Sequence, residues 1–482
     1  GKITAVRVKL VADMGAYLQL VTPGIPLLGA FLYHGVYDIP AYSFQCTGVF
    51  TTMTPTDAYR GAGRPEATYA LERAVDSLAA KLGADPAELR RRNFIPAAAF
   101  PYQSAAGLMF DSGNYEVALD QALELAGYEG LRKEQQMRRE SGSTKHLGIG
   151  LSSYVEMCGL APSRVLSALK YVAGGWEAAS VQMLPTGKVQ VVTGTSPHGQ
   201  GHETSWSQIV AERMGISPDD VDVLHSDTSI SSLGMDSYGS RSLAVGGVAV
   251  AMATDRVIDK ARAIAAHQLE VAEGDLEFVN GVFQAKGVPE KNVPIQAISF
   301  AAFTAHDLPD GVEPNLRAEA SYDPPNFVFP FGTHICVVEV DEETGAVGLL
   351  NYVAVDDCGT QINPMIVEGQ IHGGVVQGIA QALFEEAVYD GDGNLLTSTL
   401  ADYLVPSAAE MPSFTLAHTV TPSPTNLLGV KGIGEAGTIA STPAVINAIV
   451  DALSPLGIKD IAMPASPQRV WQAIQTAKGG GQ

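Results

Sequence analysis

The sequence predicts an α+β fold with two domains, in which mixed sheets are flanked by helices. Three observations support this prediction: the length of 482 residues, a mixture of strand-like and helix-like segments, and the lack of a regular strand–helix alternation. A chain of this length exceeds what one hydrophobic core normally holds. A doubly wound parallel sheet would need the regular alternation, so separate sheets with flanking helices fit the pattern better.

Each element is predicted from its periodicity or from a residue that starts or ends it. Alternating apolar and β-branched residues predict strands at 2–12, 42–52, 147–155, 179–195 with a turn at 185–188, 333–340 and 347–355. Pro65 occupies the first-turn position that proline favours, and Gly83 ends the apolar face that follows it. Comparable patterns predict helices at 65–82, 85–93, 204–214, 242–269, 364–385, 441–453 and 466–476.

A polar, charged stretch at 129–145 is the best candidate for a linker. It divides the chain into a first domain at 1–145 and a second domain at 146–482. The chain opens on a strand-like segment without an initiating methionine. Because such a strand needs partners on both sides, we expect the protein to have a segment before residue 1.

Charge and composition argue against several classes of function. The formal net charge of −22 argues against a nucleic-acid partner, because binding of phosphates needs a basic surface. The sequence contains no apolar run near the roughly 18 residues that a membrane span needs. The four cysteines are scattered without a C-x-x-C pair, which predicts no metal site held by the protein and a reducing, cytoplasmic environment.

Four glycine-rich loops, each placed before a predicted helix, are the candidates for chemistry. They are loop 1 at 57–65, loop 2 at 197–204, loop 3 at 236–242 and loop 4 at 431–437. Loop 1 places backbone N–H groups at the positive end of a helix, which suits an anionic or oxygen-rich ligand. Loop 3 places three hydroxyls and the Arg241 guanidinium at a helix start, which also predicts a cradle for an anion. The alternatives are a plain helix-entry turn for loop 1 and capping by Ser240 or Ser242 for loop 3.

Loop 2 contains His198 and His202, four residues apart, which suggests a metal site. A metalloprotease pair would lie within one helix as His-Glu-x-x-His, whereas two glycines separate these histidines. A loop that offers its backbone, with the Gln200 side chain as a hydrogen-bond donor, is the better interpretation.

In loop 4, Gly432, Gly434 and Gly437 have the spacing of a dinucleotide-binding fingerprint. No buried strand is predicted before the loop and no strand–helix–strand unit surrounds it, so we reject this interpretation. Glu435 lies between apolar neighbours, and partial burial would suit its carboxylate to accept a proton near neutral pH. A solvated loop carboxylate is the alternative, and residue chemistry alone favours it.

Taken in order, the four loops resemble those of the molybdopterin-binding subunit of the xanthine dehydrogenase and aldehyde oxidase family, the molybdenum hydroxylases. The resemblance extends from about residue 2 to residue 477. The segment 58–64, Ala-Tyr-Arg-Gly-Ala-Gly-Arg, is similar to the active-site loop of form II proteins related to the large subunit of aerobic carbon monoxide dehydrogenase. The two domains would then be the C-terminal portion of the first molybdopterin-binding domain, 1–145, and the second such domain, 146–482.

The resemblance implies a molybdenum atom carried by a molybdopterin cofactor, in bacteria often in its cytosine dinucleotide form. The sulfur atoms of that cofactor hold the metal, so no ligand from the protein is expected. The resemblance also implies cofactor contacts from the four loops and from the segment 368–374. These contacts would be made by Arg60, Gly61, Ala62, Gly63, Gln200, Gly201, Gly239, Ser240, Arg241, Ser242, Gln370 and Gly434.

Glu435 matches the family's active-site glutamate, and the resemblance implies that it is the catalytic base. Gly61 stands where the carbon monoxide dehydrogenases carry the cysteine that binds copper, which argues against carbon monoxide oxidation. Ala62 stands where xanthine enzymes carry a substrate-stacking phenylalanine, which argues against purines. The family's subunit also carries a further glycine-rich cofactor loop ahead of the matched region.

We therefore expect an oxidoreductase subunit that hydroxylates an aldehyde or a carbon of an N-heterocycle with oxygen from water. The resemblance implies partner subunits that carry iron–sulfur clusters and FAD, assembled as a dimer of heterotrimers. Two alternatives stay open: an inert, cofactor-free fragment of such a subunit, and oxidation of carbon monoxide.

Overall fold

The computed structural model describes residues 1–160, 162–168, 170–231 and 233–479. Its helices are α1 (Gly24–Gly29), α2 (Arg64–Leu82), α3 (Pro86–Asn93), α4 (Tyr115–Ala126), α5 (Tyr128–Glu140), α6 (Ser163–Ala168), α7 (His202–Met214), α8 (Val248–Leu269), α9 (Ile295–Thr304), α10 (Pro364–Leu383), α11 (Ala436–Leu453) and α12 (Pro467–Gly479). A π-helical turn, Ser242–Gly247, leads directly into α8.

The strands form five sheets within the described residues. They are β1 (Ala5–Asp13), β2 (Ala41–Val49), β3 (Tyr102–Gln103), β4 (Met109–Phe110), β5 (Lys145–Val155), β6 (Glu177–Met183), β7 (Val189–Thr193), β8 (Val221–Leu224), β9 (Leu276–Val279), β10 (Val282–Ala285), β11 (Val288–Pro294), β12 (Leu316–Tyr322), β13 (Phe331–Asp341), β14 (Val347–Asp357) and β15 (Phe414–Thr419). Helices and sheets are mixed without regular alternation, so the predicted α+β class is confirmed.

A four-stranded sheet in the order β15-β14-β13-β5 lies at the centre of the molecule. Helix α11 packs across it, and α2 and α10 pack against α11. Gly148 and Gly150 of β5 permit this close packing, because a Cβ at either position would overlap backbone atoms of α11. The sheet therefore holds the middle and the last turns of α11.

Small residues also bring α10 and α11 together. A Cβ at Gly374 of α10 would lie 2.9 Å from the Cα of Gly437, and the Thr438 hydroxyl donates to the Gly374 carbonyl at 3.0 Å. The Thr442 hydroxyl makes the same contact one turn later, with Gly378. This contact holds the start of α11 against the first turns of α10.

A second sheet, in the order β12-β6-β7-β8, is covered by α7, α8 and α9. Their apolar faces form a core of their own, which includes Trp206, Val257 and Ile298. The predicted turn at 185–188 is confirmed, because β6 and β7 form an antiparallel hairpin around it. Loops 2 and 3 lead into α7 and α8, so this second layer presents them toward the central sheet.

The linker predicted at 129–145 is wrong, because most of this stretch is helix α5. Its polar side chains bind the body of the protein: Arg132 and Gln135 donate to the Asp451 carboxylate of α11 at 2.9 and 2.7 Å. One hydrophobic core contains residues from both sides of residue 145, such as Leu119 and Ile335. The division into domains 1–145 and 146–482 stays a prediction.

The other predicted elements are confirmed with shifts at their ends: α11 begins at Ala436 instead of residue 441, and the helix predicted at 242–269 is a π-helical turn followed by α8. Among the described residues, one helical segment, Ala436–Leu456, has the length and apolar character of a membrane span. Of its most apolar window, 72% is buried inside the protein, which is the property of a core helix.

Candidate active site

Residues of all four loops line one cavity of about 580 Å³. This volume is in the range of small-molecule and cofactor sites. The cavity lies where the loops before α2, α7, α8 and α11 meet the first turns of α10. Of the residues predicted to act, it is lined by Arg60, Gln200, Gly239, Ser240, Arg241, Ser242, Gln370, Gly434 and Glu435.

Glu435 is the residue immediately before α11, and donors from two other loops hold its carboxylate. The backbone N–H of Gly61 donates to Oε1 at 2.9 Å, and the Ser240 hydroxyl donates to Oε2 at 3.0 Å. The Glu435 N–H donates in turn to the Ser240 oxygen at 3.1 Å. The side chain is 13% exposed, so the carboxylate is fixed but still reaches the cavity.

Arg60 joins loop 1 to loop 4 and α10. Its guanidinium donates from Nε to the Gly434 carbonyl at 2.6 Å and from Nη2 to the Gln370 carbonyl at 3.1 Å. Burial lowers the pKa of Arg60, and the negative charges of Glu435 and Glu156 oppose that shift. The arginine therefore fixes the relative positions of three segments that line the cavity.

Arg64 and Glu156 also belong to the site, although the sequence did not single them out for a role. The Arg64 guanidinium is fully buried and lies 2.8 Å from Oε2 of Glu435 through Nη2 and 3.3 Å from Oε1 of Glu156 through Nη1. Arg64 is the last residue of the loop 1 motif at 58–64, so the motif that identifies the family contains it. Glu156 follows β5 directly, and no spacing or motif marks it.

In loop 2, Gln200 lines the cavity, and its side-chain oxygen accepts the His198 N–H. His202 is buried and stacks on Trp206 with ring centroids 5.0 Å apart. Burial lowers the pKa of His202 to about 4, which keeps its ring neutral. The described residues contain no cluster of three or more metal-ligating side chains. The stacking on Trp206 gives His202 a structural role, and the expected contact of Gln200 with a cofactor stays a prediction.

In loop 3, Arg241 lines the cavity while its guanidinium has partners inside the protein, and its expected contact with a cofactor stays a prediction. The guanidinium is fully buried and donates to Glu177 Oε2 at 2.8 Å and to the carbonyls of Gly175 and Trp176 at 2.9 and 3.0 Å. Its charge is therefore balanced inside the protein. The alternative for loop 3, capping by Ser240 or Ser242, is wrong. The Ser240 hydroxyl donates to Glu435, and no side chain caps the π-helical turn.

Among the described residues, Arg60 is the member of loop 1 that lines the cavity, and the lining does not include Gly61, Ala62, Gly63 or Gly201. Gly61 has a φ of +101°, and a Cβ there would overlap the Pro65 ring. A Cβ at Gly63 would overlap the Ile25 carbonyl. These glycines form a tight turn that aims the Gly61 N–H at Glu435, and their expected contact with a cofactor stays a prediction.

The sequence missed one stretch of the lining, residues 360–363 before α10. Asn363 caps this helix by accepting the Ile366 N–H at 3.1 Å, and its side chain donates to Gln208 at 3.1 Å. An asparagine followed by Pro364 is a helix-start signal that could have identified this segment.

Comparison with known proteins gives matches over nearly the whole chain. The profile of the family described as molybdopterin cofactor-binding domain matches residues 121–412, and a second profile of the same description matches residues 1–94. The carbon monoxide dehydrogenase large chain of Hydrogenophaga pseudoflava is 42% identical over 98% of this chain and 59% of its own. The nicotine 6-hydroxylase large subunit of Paenarthrobacter nicotinovorans is 36% identical over 98% and 58%.

Solved structures agree. The carbon monoxide dehydrogenase from Oligotropha carboxidovorans superposes with a TM-score of 0.95 at 38% identity, covering 100% of this chain and 60% of that one. The quinoline 2-oxidoreductase from Pseudomonas putida 86 gives a TM-score of 0.91 at 36% identity, with 98% and 60% covered. The chain spans about three fifths of the length of these relatives.

Proposed function

Because the chain belongs to the molybdopterin cofactor-binding family, and within it is close to the large subunits of carbon monoxide dehydrogenase-like molybdenum hydroxylases, we propose that it forms part of a hydroxylase active site with Glu435 as the base. The observation that carries the proposal is the convergence of all four loops on one cavity, with the Glu435 carboxylate held at its wall. The reaction is the oxidative hydroxylation of an electrophilic carbon with oxygen from water.

The residues of the cavity fit a molybdopterin cofactor. Gln200, Gln370, Ser240 and Ser242 supply polar side chains to its wall, as a polar, oxygen-rich ligand requires. At Gly199, a Cβ would meet no atom within 4 Å, so the absence of a side chain leaves open space for a ligand. We propose that the glutamines, the serines and the backbone of Gly239 and Gly434 hold the cofactor, in its cytosine dinucleotide form.

The cofactor, when bound, supplies a metal that acidifies water and accepts the electrons of the reaction. The role of Glu435 is to accept a proton during the attack on the substrate. Oε2 already receives the Ser240 hydroxyl and faces Arg64, whereas Oε1 receives the Gly61 N–H alone. We assign proton uptake to Oε1, because it has the greater acceptor capacity left. Arg60 and Ser240 keep the carboxylate aimed at the cavity.

For the substrate, we propose an aldehyde or an N-heterocycle. Relatives named nicotine 6-hydroxylase and quinoline 2-oxidoreductase support the N-heterocycle, since their names state such substrates. Relatives named carbon monoxide dehydrogenase favour carbon monoxide instead. Against it stands Gly61: the position has a φ of +101° and no room for a Cβ beside Pro65, so the copper-binding cysteine has no place here.

We further propose separate partner subunits with iron–sulfur clusters and FAD, assembled as a dimer of heterotrimers in the cytoplasm. The resemblance to multi-subunit enzymes supports the partner subunits. The four cysteines are free thiols, which supports a reducing compartment such as the cytoplasm. Copurification of the chain with subunits that show iron–sulfur and flavin absorption is the expected result. A fully active enzyme without either chromophore contradicts the proposal.

The test of the base is Glu435→Gln in the complete, cofactor-loaded enzyme. Turnover is expected to fall by about 10²–10⁴-fold, the contribution of a positioned general base. Molybdenum content, measured by elemental analysis, is expected to stay near wild type. Glu129→Gln, which changes an exposed carboxylate in the first turn of α5, is the matched control and is expected to keep full turnover. Retained activity in Glu435→Gln contradicts the assignment.

The second candidate is an inert, cofactor-free fragment of such a subunit. Molybdenum analysis of the purified chain separates the two candidates. About one molybdenum per chain supports the enzyme. No molybdenum, together with a well-folded circular dichroism spectrum, supports the fragment.

A further inference from the structure

Glu156 is a buried carboxyl group beside the proposed base, and the proposed function does not use it. It is fully buried where β5 ends, and its Oε1 lies 3.3 Å from Nη1 of Arg64. Its Oε2 has no hydrogen-bond partner among the described residues. An ionised carboxylate in this position would keep one oxygen desolvated and unpaired, which is costly inside a protein.

Glu435 shares the same arginine but has better partners. Arg64 approaches its Oε2 to 2.8 Å, the Ser240 hydroxyl donates to the same oxygen, and the Gly61 N–H donates to Oε1. The carboxylate also stands at the N-terminus of α11, where a negative charge is stabilised by the helix dipole. One guanidinium thus faces two carboxyl groups, and the other donors go to Glu435.

We propose that Glu156 holds a proton at neutral pH and acts as a positioning residue, so that the negative charge opposite Arg64 is concentrated on Glu435. The catalytic role of Glu435 rests on the proposed function, whereas the protonation of Glu156 does not depend on it. Two carboxyl groups close to one another share protons in this manner because a second negative charge is disfavoured. Protonation also gives the unpaired oxygen a hydrogen to donate, and its polar neighbours include Ser240 and Glu435.

The charged and titratable groups around Glu156 agree with this charge state. Burial raises the pKa of Glu156 to about 8, Arg64 opposes the shift, and the charge of Glu435 adds to it. Burial also raises the pKa of the Cys158 thiol and of the Tyr154 phenol well above their usual values, so both are neutral. Arg60 is the second cation nearby, but its donors go to carbonyl and amide oxygens.

The experiment compares the purified 482-residue chain with its Glu156→Gln variant, since glutamine matches a protonated glutamate in shape and charge. In infrared spectra at pH 6, the wild type is expected to show a protonated-carboxyl band that the variant lacks. As pH rises, wild-type stability is expected to fall relative to the variant, because a group with a raised folded-state pKa loses its stabilising effect as pH passes that pKa. If Glu156 is instead an ionised partner of Arg64, the variant is less stable than the wild type at pH 7. Acidification then narrows the difference in stability between the two proteins, and this outcome overturns the proposal.

Glu72→Gln is the matched control. Glu72 is equally buried and also faces an arginine, but it accepts donors from Tyr37, Arg90 and Ser153, so its replacement is expected to lower stability already at pH 7. If Glu156→Gln does not fold, infrared titration of the wild type decides. Loss of a protonated-carboxyl band between pH 6 and 9 supports the proposal, and an unchanged spectrum overturns it.

Neither readout needs cofactor or turnover, so the result stands apart from the test of Glu435. In the complete enzyme, the positioning role is tested by the pH dependence of turnover, compared between the wild type and Glu156→Gln. The wild-type pH profile is expected to contain a step near the pKa of Glu156 that the variant lacks. An identical profile in both enzymes contradicts the positioning role.

Discussion

Helix α2 contributes residues to two buried arginine clusters, one at its first residue and one further along the helix. Each cluster consists of one arginine and two carboxyl groups. The Arg90 cluster joins one buried guanidinium to Glu72, which is fully buried, and to Asp76, which is 14% exposed. The Arg64 cluster joins one buried guanidinium to Glu156, which is fully buried, and to Glu435, which is 13% exposed. Charge and burial therefore match, and the difference lies in hydrogen bonding.

In the Arg90 cluster, no buried polar side-chain atom of Arg90, Glu72 or Asp76 lacks a hydrogen-bond partner among the described residues. Arg90 donates to Glu72, Asp76 and the carbonyls of Pro86 and Leu151, and Glu72 also receives the Tyr37 hydroxyl and the Ser153 N–H. In the Arg64 cluster, one oxygen of Glu156 has no partner and Glu435 opens onto the cavity. A complete network stabilises the fold, whereas an incomplete network next to a cavity has a charge that can change.

The largest effect is expected when the complete network is broken. Arg90→Met leaves Glu72 and Asp76 buried without their cation, and a loss of about 3–5 kcal/mol in the free energy of unfolding is expected. Denaturant unfolding monitored by circular dichroism measures it. A loss below about 1 kcal/mol, the size of an exposed ion pair, would show that the Arg90 cluster is not a structural unit.

An intermediate effect is expected from Gly61→Cys, which tests the turn that delivers a backbone donor to the Arg64 cluster. The positive φ and the overlap with Pro65 predict a loss of about 1–3 kcal/mol in the free energy of unfolding. Gly83→Cys is the control, since Gly83 has a φ of +62° but open space around it, and a smaller loss is expected. We also expect no bound copper in Gly61→Cys by elemental analysis; stoichiometric copper would reopen carbon monoxide oxidation.

The smallest effect is expected from Ser240→Ala. It removes one donor to Glu435 and the acceptor of the Glu435 N–H, but water in the cavity can replace both. The expected cost is about 1 kcal/mol, or roughly a fivefold loss of turnover in the complete enzyme. Ser229→Ala, in an exposed turn, is the control and is expected to change neither stability nor turnover. A loss as large as that of Glu435→Gln would show that Ser240 itself takes part in the reaction.

The sequence predicted those parts of the site that depend on local signals. Glycine spacing and helix starts located the four loops, and their order pointed to Glu435 and Gln370, which the structure brings to one cavity. Glu156 was missed because its role depends on β5 and α2 meeting in space, which no local pattern encodes. The ion pair of Arg241 with Glu177 was missed for the same reason, since Arg241 lies in loop 3 and Glu177 on β6. The segment 129–145 was predicted to be a linker because it is polar and charged. The prediction failed because polar side chains of this segment bind Asp451 of α11.

The ribbon of β1 and β2 has a consequence for handling the protein. The two strands pair in parallel with each other, and in the described part of the chain no third strand borders them. Apolar side chains such as Val11 lie exposed along it, and Phe50 follows directly after β2. Unpaired strand edges are templates for association with other chains. We therefore expect purified preparations to self-associate as concentration rises, through edge-to-edge pairing of this ribbon.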